Sequence, residues 1–221
     1  MDWIERRLEL QAARAEELAA RLERLLPLRG DERALDVGAG TGALAFALAP
    51  RVREVVALDK HDSFVERTRE IAPPNVEAIV GDAEHLPFES AEFDVAGTLR
   101  AIHHTPRPEL LVAELTRVTK PGGTILVVDQ VAPVDPLAAL ELNRFERSRD
   151  ASTTRVLAEG DLRALFDANN LVLRREEIVP ESRDLDAYLD LAGCDDDERE
   201  RVKALAPPSY EAVVGWFVLT R

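Results

Sequence analysis

Gly38, Gly40 and Gly42 stand two apart in Leu35-Asp36-Val37-Gly38-Ala39-Gly40-Thr41-Gly42, directly after an apolar run that reads as a strand. Glycine at a strand-to-helix junction permits positive φ and lets a ligand approach the backbone with no Cβ between them. The spacing points to a nucleotide-type ligand. Two acids follow where they could reach it: Asp59 ends the second apolar run, and Asp82 stands in Gly81-Asp82-Ala83 after the third. Asp82 could accept from an adenine amino group while a backbone amide beside Ala83 donates to the ring. After a fourth run, Arg100, His103 and His104 are candidates for contacting the ligand or removing a proton, although a histidine there also serves to fix a loop.

The glycines alone leave two ligands open. Gly38-x-Gly40-x-x-Ala43, with Asp59 21 residues after Gly38, also fits the dinucleotide fingerprint of a NAD(P)-dependent oxidoreductase. Asp36 weighs against it, because a carboxylate just before the first glycine repels a pyrophosphate but suits the cationic amino acid end of S-adenosylmethionine. A third reading is a non-catalytic adenosyl-binding interaction module whose acidic stretch Glu181 to Arg201, nine acids against three bases, meets a basic partner.

These residues need a scaffold. Short apolar runs at Ala34–Val37, Val55–Leu58, Val76–Val80, Phe93–Ala96 and Thr124–Val128 alternate with helically spaced segments at Gly42–Leu48, Ser63–Ile71, Pro108–Thr119 and Asp161–Asn169. That rhythm predicts a doubly wound α/β fold around a parallel sheet. Ser63 and Glu66 form a capping-box start, and Pro121-Gly122-Gly123 a hard stop before the fifth strand. Leu171–Val179 and Tyr210–Leu219 read as two further strands, and Glu181 to Arg201 as a solvated, partly helical excursion. The stripe Ile4, Leu8, Ala12, Ala15, Leu18, Leu22, Leu25 predicts an amphipathic helix. With the 131–159 insertion, this 1–26 segment is expected to form a lid over a single domain spanning 1–221.

The ordered motifs resemble the class I S-adenosylmethionine-dependent methyltransferases, in particular the small-molecule branch that includes the quinone-biosynthesis C-methyltransferases. The resemblance runs from about Arg33 to Asp129: the Asp-x-Gly-x-Gly-x-Gly loop, Asp59, Gly-Asp-Ala, Leu86-Pro87-Phe88 before Phe93-Asp94-Val95, and Pro-Gly-Gly. It implies a Rossmann-like, seven-stranded, mostly parallel sheet with the last strand antiparallel, and transfer of a methyl group to a small organic acceptor without metal. Gly38, Ala39, Gly40 and Gly42 would lie under the methionine part of the cofactor, Asp59 would hold the ribose hydroxyls, and Asp82 with Ala83 would frame the adenine. Lys60 stands where relatives often carry an apolar residue against the adenine, and its stem would take that place. His104 matches a histidine common in the quinone-type relatives. Arg149-Asp150-Ala151-Ser152-Thr153-Thr154-Arg155 is similar to a relatives' Arg-Asp-Pro-Ser-His-x-Arg stretch, with alanine for the proline and threonine for the histidine. If Arg144 and Arg149 face the cleft, they suggest an anionic acceptor.

Composition excludes several other functions. Net charge is −14, so nucleic acid and membrane surfaces are poor partners. One cysteine, Cys194, rules out an internal disulfide or a multi-cysteine metal site. No apolar stretch is long enough to span a bilayer, and no basic segment opens the chain as in a signal peptide, so a cytoplasmic protein is expected, with monomer and homodimer both left open. Asn-Pro-Pro-Tyr, the signature of amino-group methylation, does not follow the fourth strand, and there is no Pro-Cys for cytosine C5 attack.

Overall fold

The computed structural model describes residues 3–190, 196–206 and 211–221. Parallel strands β1 (Arg33–Val37), β2 (Glu54–Asp59), β3 (Val76–Val80), β4 (Phe93–Leu99) and β5 (Thr119–Gln130) alternate with α2 (Ala43–Leu48), α3 (Asp62–Ile71) and α4 (Pro108–Val118). Then come α5 (Pro136–Arg149), α6 (Glu159–Ala168), β6 (Val172–Glu181), α7 (Leu185–Asp190), α8 (Asp196–Lys203) and β7 (Ala212–Thr220), with α1 (Trp3–Leu25) preceding all of them. The sheet order is β3-β2-β1-β4-β5-β7-β6, and β7 runs antiparallel to both β5 and β6. This is the seven-stranded, mostly parallel sheet expected. Strand order reverses between β1 and β4, the switch point at which doubly wound sheets open a crevice beyond the carboxyl ends of their strands.

Alternation along each strand divides the core. Leu35 and Val37 of β1 pack with Leu111 and Leu115 of α4 and Phe166 of α6, whereas Ala34 packs with Leu44 of α2 and with Leu22 and Leu25 of α1. Leu22, Leu25 and Leu26 are almost fully buried, each burial contributing about 1.5–3 kcal/mol. The carboxyl half of α1 is therefore part of the core.

Local expectations needed correction in four places. Ser63 does not cap α3: the helix starts at Asp62, with His61 in extended conformation at the N-cap and no side-chain cap bond. Pro121-Gly122-Gly123 does not precede β5 but lies within it. Phe93 pairs with Thr119 and Val95 with Thr124, so the turn bulges out of a strand that has already begun pairing, helped by Gly122 at φ +77°. Ala12 and Ala15 are exposed, and the first half of α1 turns a polar side inward. The 181–201 stretch is not simply solvated, since Leu189 is buried against Phe145 of α5, with Val202 just beyond the stretch in the same cluster. Tyr210, the expected start of the last strand, and Cys194 lie outside the described residues. Among the described residues, no helix is long and apolar enough to cross a membrane.

Candidate active site

A cavity of about 1030 Å³ opens at the carboxyl ends of the parallel strands, walled by the β1–α2 loop, α1, and the segments after β4, α5 and β6. Gly38, Gly40 and Gly42 all take positive φ, which a side chain would strain. At Gly38 a Cβ would lie 2.5 Å from the Cβ of Ala101, whereas at Gly40 it would meet nothing within 4 Å. The Gly38 and Ala39 amides donate to the Leu58 carbonyl, tying the loop to the end of β2.

Gly38, Ala39, Gly40, Asp59, Lys60, Asp82, Ala83 and Arg100 line the cavity, so the structure brings most of the expected cofactor contacts together. Gly42 sits just behind them as the N-cap of α2. Asp59 Oδ2 accepts from the Gly40 amide at 2.8 Å and Oδ1 from the His61 amide at 2.9 Å, which fixes the carboxylate while leaving lone pairs for a ligand. Asp82 Oδ1 accepts from the Glu84 amide at 2.9 Å, a turn that presents the Gly-Asp-Ala backbone to the cavity.

Asp36 stands elsewhere. It shares the parity of Ala34 on β1, so it faces α2, does not line the cavity, and accepts from the Ala45 amide through Oδ2 at 2.9 Å. Its other oxygen is buried with no hydrogen-bond partner. Burial pushes this carboxyl up to about 7, against the Ala45 hydrogen bond and with some help from Asp59. The expectation that Asp36 faces the ligand directly is therefore corrected.

His103 and His104 both line the cavity, their ring centroids 4.1 Å apart. His103 Nδ1 is hydrogen-bonded to Asp129 Oδ1, and its backbone amide donates to Asp129 Oδ2 at 3.1 Å. Burial works to raise the Asp129 carboxyl, but the His103 ring and amide, with the Gln130 amide, hold it below the usual range. Ser152 Oγ donates to Asp150 at 2.6 Å, so the 3.0 Å contact between Ser152 Oγ and His104 Nδ1 has the ring N–H donating. Burial, then the neighbouring His103, drives His104 down to about 4, leaving it neutral at pH 7.

Arg149 is buried and lines the cavity, whereas Arg144, one turn earlier on α5, is exposed and is not among the lining residues. A helix cannot point both inward, because residues five apart differ by about 140° around its axis. Sequence reasoning missed Asp129, which it used only to mark the end of the family resemblance. It also missed Arg7, Gln11 and Arg14 on α1 and Arg183 and Tyr188 after β6, all of which line the cavity.

Fold and site together define an α/β class with a glycine loop at the carboxyl ends of its parallel strands, open to a large cavity. A family model described as "Methyltransferase domain" matches residues 35–127. YcgJ of Bacillus subtilis, an uncharacterized methyltransferase, is 37% identical over 147 residues, covering 65% of this chain and 58% of that protein. Its crystal structure superposes with TM-score 0.82 at 25% identity, covering 92% of this chain and 97% of that one. The uncharacterized Escherichia coli protein YafE is 30% identical over 140 residues, 62% of this chain and 68% of that protein. A demethylmenaquinone methyltransferase of Clavibacter sepedonicus is 37% identical over 113 residues, 50% of this chain and 46% of that protein. The sequence match thus spans little more than half of YcgJ and less than half of the quinone enzyme. The chain belongs to the class I S-adenosylmethionine-dependent methyltransferases.

Proposed function

We propose that the protein transfers a methyl group from S-adenosylmethionine to a nucleophilic atom of a small organic acceptor, without a metal ion, inside this cavity. The observation that carries the proposal is that one chamber joins two kinds of wall. One is a glycine loop flanked by Asp59 and Asp82, and the other a pair of histidines, His103 held by Asp129 and His104 by Ser152. The open space over Gly40 and the free lone pairs of Asp59 fit an adenosyl amino acid.

The sulfonium of the cofactor supplies an already activated methyl group, so neither a covalent nucleophile nor a Lewis acid is required. The chain's own residues have three tasks. Asp59 accepts hydrogen bonds from ribose hydroxyls, and Asp82 with the Ala83 amide reads the adenine edge. His103, with Nδ1 tied to Asp129, keeps Nε2 to take a proton from an acceptor that must lose one, and Asp129 stabilises the imidazolium that results. His104, neutral and fixed through Ser152, orients the acceptor by hydrogen bonding. Meanwhile α1 and the segments after α5 and β6 exclude water and hold the acceptor in line.

The test is thermal unfolding with S-adenosylhomocysteine, NAD and NADP side by side, followed by transfer of radiolabelled methyl to candidate acceptors. A ligand at ~100 times its dissociation constant adds about 2.7 kcal/mol to the native state. S-adenosylhomocysteine is expected to give the larger shift; a larger shift with a nicotinamide nucleotide would replace this reading with the oxidoreductase.

A further inference from the structure

Between the turn at Asp82 and Ala83 and the start of β4 runs Glu84-His85-Leu86-Pro87-Phe88, and this segment is fastened to α4. Glu84 stands at the cavity wall yet is 8% exposed, because Arg107 covers its carboxylate. Oε1 accepts from the Arg107 amide at 2.9 Å, and Oε2 from Arg107 Nε at 2.8 Å and Nη2 at 2.6 Å. Arg107 is the N-cap of α4. Near the other end of the helix, Glu114 accepts from the Leu86 amide at 2.7 Å, and Arg117 donates to the Leu86 and Phe88 carbonyls at 3.0 and 2.7 Å. Glu114 and Arg117 are themselves paired at 2.7 Å. The segment from Glu84 to Phe88 is therefore tied to α4 at both ends of the helix.

The Glu84–Arg107 link joins the two walls of the site. On one side the Glu84 amide donates to Asp82 Oδ1 and the His85 amide to the Asp82 carbonyl, so Glu84 and the adenine-side turn are one backbone unit. On the other, residues 102–104 form the short helical turn that carries both histidines, directly before Arg107. Thr105 closes that turn, its amide donating to the Ile102 carbonyl at 2.9 Å and its hydroxyl to the Ala101 carbonyl at 2.8 Å. A buried carboxylate with both oxygens held by one arginine is a stiff connection, since the planar guanidinium fork fixes direction as well as distance. We infer that Glu84 is a positioning residue, which through Arg107 couples occupation of the adenine side at Asp82 and Ala83 to the placement of His103 and His104. The histidine turn is already anchored from behind by Asp129 and by Thr154, whose amide and hydroxyl donate to the His103 carbonyl at 2.8 and 2.9 Å. Glu84 and Arg107 hold it from the cofactor side, so the histidines are set when the adenine is in place. This goes beyond the methyltransferase reading and rests on it for the adenosyl ligand.

The probe is methylthioadenosine, which keeps the adenosyl part of the cofactor and lacks its amino acid end, and the readout is the change in amide hydrogen exchange when it saturates the protein. In the wild type, exchange should slow at residues 81–85 and, by at least ~5-fold, at residues 103–105, the low end of ordinary coupling between sites. Glu84→Ala should keep the first effect and lose the second. Glu84→Gln and Arg107→Ala each leave the Arg107-position amide its acceptor but break the guanidinium pairing, and should give the same reduced protection at 103–105. The Arg107 side chain is more than half exposed, so Arg107→Ala decides the matter if Glu84→Ala does not fold. A role in fold stability alone would raise exchange with and without the probe and leave their difference unchanged. Full protection at 103–105 in the folded variants, none in the probe-bound wild type, or loss of probe binding in a folded Glu84→Ala would each overturn the inference, the last by making Glu84 a ligand contact. Methylthioadenosine failing to bind where S-adenosylhomocysteine binds would overturn it as well, since the adenine side would then have no binding of its own to transmit. If S-adenosylhomocysteine itself does not bind the wild type, the methyltransferase reading falls and the coupling with it.

Discussion

His103 and Asp129 are joined twice, ring nitrogen to one carboxylate oxygen and backbone amide to the other, although 26 residues separate them in the chain. The pairing exists because β4 and β5 are neighbours in the sheet and both residues leave it at the same end. Such double anchoring fixes the imidazole tautomer and its direction, which is what a proton acceptor needs. Asp129→Asn keeps the shape but cannot hold the ring N–H with a charge. Methyl transfer to an acceptor that must lose a proton should fall roughly 10²–10⁴-fold, with S-adenosylhomocysteine affinity nearly unchanged. Undiminished turnover in the variant would reduce His103 to a loop anchor.

Asp59→Ala removes the acceptor that both fixes Gly40 and faces the cavity. Calorimetry should show cofactor binding weakened by about 1.5–3 kcal/mol, the range for hydrogen bonds to a charged group, in a protein with native circular dichroism. Unchanged affinity, or an unfolded variant, would assign Asp59 to the scaffold.

Asp36 gives a pH signature. Its native carboxyl, raised to about 7 from the ordinary 3.8, holds a proton that the unfolded chain releases. The resulting contribution to stability is complete below the unfolded value and is lost as pH rises through about 7. Asparagine mimics the protonated form at every pH. Asp36→Asn should therefore lose less stability than the wild type between about pH 5 and about pH 8 in denaturant titrations. Parallel curves for the two proteins would mean that Asp36 is not neutral in the native state.

The amino half of α1 closes the cavity with polar contacts: Thr41 Oγ1 donates to Gln11 at 2.7 Å, and Arg14 pairs with Glu181. Backbone amides of residues 3–17 and 149–155 should exchange more slowly with S-adenosylhomocysteine bound, while those of β3 at the sheet edge change little. Exchange in both segments that ignores the ligand would show that α1 serves packing alone.

Phe145 is fully buried with Leu189 and Val202, so it holds the segment that carries Tyr188 against α5. Phe145→Ala should cost about 3–5 kcal/mol and speed exchange across 185–190 and 199–205. A cost well under 1 kcal/mol would mean that the cluster does not anchor that segment.

The sheet was legible because parallel strands buried on both faces read as short apolar runs, and the glycine loop because positive φ at three alternate positions has few other causes. Asp59 and Asp82 were legible from their places at strand ends, and even the wrong placing of Asp36 had its signal in the alternation Ala34, Leu35, Asp36, Val37. What the sequence could not disclose was the far wall. Periodicity marks the face of a helix that meets an apolar core, so Leu18, Leu22 and Leu25 declared themselves. Arg7, Gln11, Arg14, Leu18 and Arg21 lie at the same helical spacing but line the cavity, and in sequence so polar a stripe looks like one facing water. The pairings of Arg14 and Arg100 with Glu181, of His103 with Asp129, and of Arg183 with Tyr188 and Gln130 join distant segments through long side chains. No local propensity encodes them; only packing β7 between β5 and β6, and α1 across the crevice, brings those charges to one place.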